Sequence, residues 1–107
     1  MGDRAMTMAE AVRAKLEQTI GPVFYADFAL HLAHDAVFVV APSVSLLDCG
    51  VAVATDDVEK VERWVASGEL RKPSRAERAA WPGHEGRRWL TVVVSPFVLV
   101  QDEGAAA

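Results

Sequence analysis

The sequence predicts an α+β fold, with a small, mainly antiparallel sheet of three to four strands covered on one face by three to four helices. Capping signals precede stretches in which apolar residues recur every three or four positions, which is typical of helices. Short runs rich in valine and phenylalanine lie between these stretches and predict strands. The chain has 107 residues, 51% of them hydrophobic, so we expect one globular domain over residues 1 to 107.

The first helix is predicted over residues 8 to 20. Thr7 and Glu10 match a capping box, in which each side chain accepts a hydrogen bond from a backbone N–H at the helix start. Val12, Leu16 and Ile20 then recur every four residues, and Gly21-Pro22 predicts the end of the helix.

A second helix and a strand are predicted next. Phe24, Phe28 and Leu32 have helical spacing, whereas the run from Ala36 to Ala41 is short and β-branched and predicts a buried strand.

Residues 46 to 54 fit two structures. Leu46, Leu47 and Val51 could form one face of a helix, but Leu47, Cys49, Val51 and Val53 also alternate with smaller or polar residues. Because alternation with a period of two suits a half-buried strand, we predict a strand here.

A third helix is predicted after Asp56, which can cap it together with Glu59. Its valines, Val58, Val61 and Val65, have the spacing of one helix face and are expected to pack inward. Gly68 predicts the end of this helix.

The last part of the chain predicts a short helix and two strands. Ser74 and Glu77 match a capping box, and Pro82-Gly83 should end that helix. Residues 89 to 94 and 97 to 101 are strongly β-forming, and Pro96 between them predicts a bulge or a sheet edge. Residues 1 to 6 and 102 to 107 are expected to fray.

The composition indicates a cytoplasmic protein. Cys49 is the single cysteine, which excludes an internal disulfide. No apolar run approaches the roughly 20 residues that span a bilayer, and no secretory leader is apparent, so we expect no membrane association. Cys49 lies among apolar residues and is expected to be inert core. We predict no cofactor and no catalytic constellation.

A basic segment is the first candidate binding site. The net charge is −4, yet the second half of the chain contains a cluster of bases: Arg71, Lys72, Arg75, Arg78, Arg87 and Arg88. With Trp81 and Trp89 nearby, such a segment could contact phosphates and stack on bases, which would give weak nucleic-acid binding. The acidic balance of the whole chain argues against this role.

A histidine cluster is the second candidate site. His31, His34 and Asp35 are spaced three or four residues apart, or adjacent, so that they could share one edge of a helix and ligate a divalent metal or a small molecule. The alternative is a solvated helix edge in which His31 bonds to a nearby carboxylate.

The sequence also resembles a family of small bacterial proteins of unknown function over about residues 10 to 101. The resemblance is carried by short motifs: His31 with Asp35, the run Val-Ala-Val-Ala-x-Asp-Asp at 51 to 57, Val61 with Trp64, Gly68-x-Leu70 followed by Pro73, Trp81, and Pro96-Phe97-Val98-Leu99 with Gln101. It implies a bacterial, cytosolic setting and assigns no role to any residue.

These observations lead to one preferred function and two alternatives. The preferred hypothesis is a non-enzymatic protein-interaction or regulatory domain that binds a protein partner or forms a homodimer, using an edge left by the two C-terminal strands. The alternatives are metal or small-ligand binding at His31, His34 and Asp35, and weak nucleic-acid binding through the basic segment.

Overall fold

The computed structural model describes residues 6 to 103, which form five α-helices and one five-stranded sheet. The helices are α1 (Met8–Glu17), α2 (Tyr25–Ala33), α3 (Leu46–Ala54), α4 (Val58–Ser67) and α5 (Arg75–Ala80), followed by a 3₁₀ turn at Trp81–Gly83. The strands are β1 (Gly21–Val23), β2 (Val37–Val40), β3 (Leu70–Arg71), β4 (Trp89–Val94) and β5 (Phe97–Asp102). The α+β class is confirmed. Within the described residues, no helix has the length and hydropathy needed to cross a bilayer.

The strands lie in the order β1-β4-β5-β2-β3. All neighbours pair antiparallel except β2 and β5, which are parallel. β4 and β5 form a hairpin whose turn contains a cis peptide between Ser95 and Pro96. The mainly antiparallel sheet is confirmed, with five strands where three to four were predicted. β1 and β3 have only three and two residues, too few to produce a periodic pattern.

Helices pack on both faces of the sheet, which adds a layer to the one-sided arrangement predicted from the sequence. Successive side chains of a strand point to opposite faces, and β2 is apolar at all four positions, so both of its faces can be buried. Val40 belongs to a core that α1 and α3 cover, whereas Val37 belongs to a core beneath α2 and the 3₁₀ turn.

The two cores differ in composition. The α3 core contains mainly aliphatic residues: Leu16, Val40, Val44, Leu46, Cys49, Val51, Leu70, Val92 and Leu99. The tryptophan core contains Phe28, Leu32, Val37, Trp81, Trp89, Val98 and Val100. In the tryptophan core, the rings of Phe28, Trp81 and Trp89 make edge-to-face contacts with centroids 5.3 to 6.0 Å apart.

The prediction of a strand at residues 46 to 54 is wrong, because this segment forms α3. The hydroxyl of Ser45 accepts a hydrogen bond from the backbone N–H of Asp48 and caps the helix. The buried side chain of Gln101 donates to the carbonyls of Ala41 and Val44 and holds the preceding loop in place. The helix can therefore bury Cys49 against β4 and β5, which outweighs the strand propensity of the valines.

The other predicted elements are confirmed, with adjusted ends. The capping boxes at Thr7 and Ser74 are present, but α1 ends at Glu17 rather than residue 20, because β1 begins at Gly21. α4 is capped by Asp57, not by Asp56, and Gly68 ends it with a left-handed φ of 81°. Of the ends predicted to fray, residues 1 to 5 and 104 to 107 lie outside the described part of the chain, and β5 includes Asp102.

Candidate functional site

An apolar groove lies between α4 and the end of the β4–β5 hairpin. Its cavity has a volume of about 180 Å³, and the described residues that line it are all apolar: Phe38, Val53, Val61, Val65, Leu70, Phe97 and Leu99. Leu70 and Leu99 form the buried floor. We call this feature, together with the adjoining hollow described below, the α4 groove.

Two phenylalanines form one wall of the groove. Phe38 on β2 and Phe97 on β5 contact each other edge to face, with ring centroids 5.5 Å apart. The parallel register of the two strands, in which Phe38 lies opposite Leu99, brings the rings together. Phe97 keeps 38% of its surface exposed, which is a large exposed area for an aromatic side chain next to a core.

The other wall is α4, which does not bury the three valines as the sequence predicted. Only Val61 packs against the α3 core, whereas Val58 and Val65 are 54% and 57% exposed. No residue of α4 is fully buried, because the helix lies at the side of the sheet next to β3. The apolar stripe of α4 is therefore shared between the core and the solvent.

A hollow of about 250 Å³ extends the groove around the start of α4. It shares Val53, Val61 and Phe97 with the first cavity and adds three acidic residues at the rim: Asp56, Asp57 and Glu62. Asp57 accepts a hydrogen bond from the backbone N–H of Lys60. Neither Asp56 nor Glu62 forms an ion pair with any residue between 6 and 103. The rim of the α4 groove is thus acidic, and no base among residues 6 to 103 lines it.

The basic segment is largely neutralised within the molecule. Five of its six bases form ion pairs: Arg71 with Glu77, Lys72 and Arg78 with Asp35, Arg87 with Asp102, and Arg88 with Glu103. Arg75, the sixth, is exposed. Trp81 and Trp89 are 3% and 1% exposed, so their faces are not free to stack on bases. Nucleic-acid binding stays a prediction. Arg75 is the one base of the segment that these ion pairs do not include.

Two of these ion pairs line a pocket at the carboxyl ends of β2 and β5, with a volume of about 210 Å³. The two guanidinium nitrogens of Arg71 donate to the two oxygens of Glu77 over 2.6 and 2.9 Å. Arg71 and the backbone N–H of Ser74 lower the pKa of Glu77 to about 2. Arg87 lies 4.6 Å above the ring of Trp89 and pairs with Asp102. Each arginine of this pocket already has a carboxylate partner.

The three residues of the histidine cluster line one open hollow of about 460 Å³, next to Val93 and Phe97. His31 and His34 are exposed. The carboxylate of Asp35 accepts from Lys72 over 2.6 Å and from Arg78 over 2.8 Å, and the bond to Lys72 lowers its pKa. No three His, Cys, Asp or Glu side chains in residues 6 to 103 have the arrangement of a metal site. Metal or small-ligand binding here stays a prediction.

The sequence led us to expect a sheet edge at the two C-terminal strands, but neither of these strands is an edge strand. β4 and β5 are interior, and the edge strands are β1 and β3. β1 pairs only with Trp89 to Thr91, so in the described chain the outer side of residues 92 to 94 has no neighbouring strand. The predicted edge is therefore limited to this half of β4.

Cys49 is fully buried, as predicted, and burial raises the pKa of its thiol to about 11. The thiolate is the nucleophilic form of cysteine, so this environment opposes nucleophilic chemistry at Cys49.

The α4 groove is not apparent from the sequence, because its residues come from three separate parts of the chain: β2, residues 53 to 70, and β5. One signal was present. Val58 and Val65 are two turns apart on a helix that is otherwise strongly charged, and such a narrow stripe can be exposed as well as buried.

Comparisons with known proteins agree with the fold and name a family. The NMR solution structure of PA1075 from Pseudomonas aeruginosa is similar to this chain, with 25% sequence identity, a TM-score of 0.73, and coverage of 95% of this chain and 94% of that one. No curated protein matches the sequence significantly. The family model described as a protein of unknown function, DUF2288, matches residues 11 to 102. The chain therefore belongs to the DUF2288 family of proteins of unknown function.

Proposed function

We propose that this chain is a non-enzymatic protein-interaction domain that binds a segment of another protein in the α4 groove. The observation that supports this most directly is the convergence of exposed apolar side chains on one concave surface. Val58, Val65 and Phe97 are each more than one third exposed and line the two parts of the same groove. Contiguous apolar surface of this kind is typical of sites that bind proteins.

The chemistry of the groove favours binding over catalysis. Its floor and both walls are aliphatic or aromatic, so they can exclude water from a partner's apolar side chains but cannot transfer a proton. In the described part of the chain, the only ionisable groups that line the groove are the carboxylates of its rim, and they adjoin an open hollow rather than an enclosed one.

Self-association through a sheet edge is the other form of this proposal. The outer side of residues 92 to 94 could pair with the same segment of a second molecule and extend the sheet. Val93 next to it is 51% exposed. The groove is preferred, because it offers a larger apolar surface from several elements.

The test is quantitative affinity capture from lysate of the host cell with three forms of the full chain: wild type, Val65→Asp and Leu30→Asp. Leu30 is a matched control, because it is 69% exposed on α2, outside the groove. We expect at least one protein that the wild type and Leu30→Asp retain and that Val65→Asp loses about tenfold or more, the effect of a charge in an interface centre. Equal capture of every protein by all three forms would contradict the proposal.

A further inference from the structure

We infer that the partner segment is basic and amphipathic, and that it comes from a different protein rather than from a second copy of this chain. This inference rests on the proposed function and adds the chemistry of the partner. It follows from the acidic residues that line one part of this apolar groove.

The acids of the groove are available for a partner. Some acids elsewhere on the described surface, such as Asp35 and Glu77, are held by lysine or arginine, whereas Glu85 is not. Asp56 and Glu62 are exposed and have no such partner in residues 6 to 103. Three carboxylates therefore lie at one end of an apolar surface, and no base in residues 6 to 103 lines it with them. A complementary segment would place lysine or arginine next to its apolar side chains.

The arrangement along α4 sets the size of that segment. Val58, Val61, Glu62 and Val65 lie within eight residues of helix, which extend over about 10 Å at a rise of 1.5 Å per residue. A partner helix of two to three turns covers this length, with apolar side chains every three or four residues and bases at its flanks.

A second copy of the chain does not fit the groove. In a symmetric dimer the same patch meets itself, so the acidic rims would face each other and repel. In an asymmetric contact, the basic segment of the second copy would have to give up existing bonds, because five of its six bases are already in ion pairs. Either arrangement is disfavoured relative to a separate basic partner.

The experiment uses the full chain, ¹⁵N-labelled, and two designed 14-residue helical peptides of identical leucine pattern. One peptide carries lysine at its polar positions and the other carries glutamine. Binding is followed by NMR chemical shifts at low salt and at 0.5 M salt, a concentration at which attraction between exposed charges extends over only a few ångströms. We expect the lysine peptide to shift the amides of Val58, Val61, Val65 and Phe97, and to bind at least about fivefold more tightly than the glutamine peptide at low salt only.

Two pairs of substitutions distinguish an effect of the carboxylates at the rim of the groove from an effect of the protein's net charge. Asp56→Asn with Glu62→Gln removes two carboxylates of the rim, and asparagine tolerates the left-handed φ of 60° at residue 56. Glu17→Gln with Glu85→Gln removes two exposed carboxylates outside the groove, so the change in net charge is the same. We expect the first pair to weaken binding of the lysine peptide about fivefold and the second pair to change it less than twofold.

The outcomes distinguish this inference from the proposed function. Equal binding of both peptides in the groove, or equal effects of the two variant pairs, would overturn the basic partner and leave an apolar docking site in place. Failure of the lysine peptide to shift the groove amides would also overturn the basic partner. The capture experiment with Val65→Asp, which does not depend on the charge of the partner, decides the proposed function separately.

Discussion

Glu77 is a single residue that joins two parts of the structure. Its carboxylate accepts two hydrogen bonds from the guanidinium of Arg71, and it also accepts from the backbone N–H of Ser74, which closes the capping box of α5. It therefore fixes the short helix α5 to the edge strand β3. The bond to Arg71 is the largest cause of its lowered pKa, about 2 instead of 4.5.

We predict that Glu77→Gln lowers the free energy of unfolding by about 1 to 2 kcal/mol at pH 7, because glutamine keeps part of the cap but loses the charge-assisted bonds to Arg71. Because the pKa of Glu77 is lower in the folded protein than in the unfolded chain, its ionised carboxylate stabilises the folded state at pH values above the unfolded pKa. This contribution is complete above about pH 4.5 and is lost as the pH falls toward 2. The difference between wild type and variant, measured by urea denaturation, should therefore shrink over this range.

Glu85→Gln is the control for this measurement, since Glu85 is exposed and has no ion-pair partner in the described chain. We expect it to change stability by less than about 0.5 kcal/mol at pH 7. A Glu77→Gln effect that is the same at pH 7 and at pH 2.5 would show that the loss comes from packing and not from the carboxylate.

At the scale of elements, the sequence predicts most of the fold, and the errors have physical causes. The capping boxes of α1 and α5 and the β-forming runs of β2, β4 and β5 were sufficient to place those elements. For α3, the spacing of the valines fitted both a helix and a strand. What decides between them is the cap at Ser45 and the packing of the helix on β4, and only the first can be read locally.

The candidate site could be predicted less well than the fold. Val58 and Val65 on α4 have helical spacing, which shows that one face of the helix is apolar but not whether a neighbour covers it. Phe38 and Phe97 meet only because β2 and β5 pair in parallel, which is a contact between residues 59 positions apart in the sequence. The groove is thus a product of topology.

The end of α4 gives a prediction at this scale. Gly68 has a φ of 81°, where a side chain is strained, and a Cβ there would meet no atom within 4 Å. Gly68→Ala should therefore cost about 1 kcal/mol of stability, entirely from the backbone. Urea denaturation measures this cost. Gly83→Ala is the matched control, since its surroundings are equally open and its φ is not left-handed. Equal effects of the two substitutions would contradict this explanation.

At the scale of the whole molecule, two cores share one sheet. Residues of β2, β4 and β5 contribute alternately to the α3 core and to the tryptophan core, so neither core can form without the same three strands. The α4 groove depends on this sheet, because Phe38 lies on β2 and Phe97 lies on β5. Both strands contribute side chains to both cores.

This shared sheet predicts that the described part of the chain unfolds in one cooperative transition. Leu16→Ala removes a buried side chain from the α3 core and should cost about 2 to 5 kcal/mol. Trp81 and Trp89 lie in the opposite core, and Trp64→Phe removes the third tryptophan, which packs against the α3 core, so that fluorescence reports the tryptophan core alone. In that background, Leu16→Ala should lower the urea midpoint of the tryptophan fluorescence and of the far-ultraviolet circular dichroism by the same amount. A fluorescence midpoint that stays in place while the circular dichroism midpoint falls would show that the two faces unfold separately.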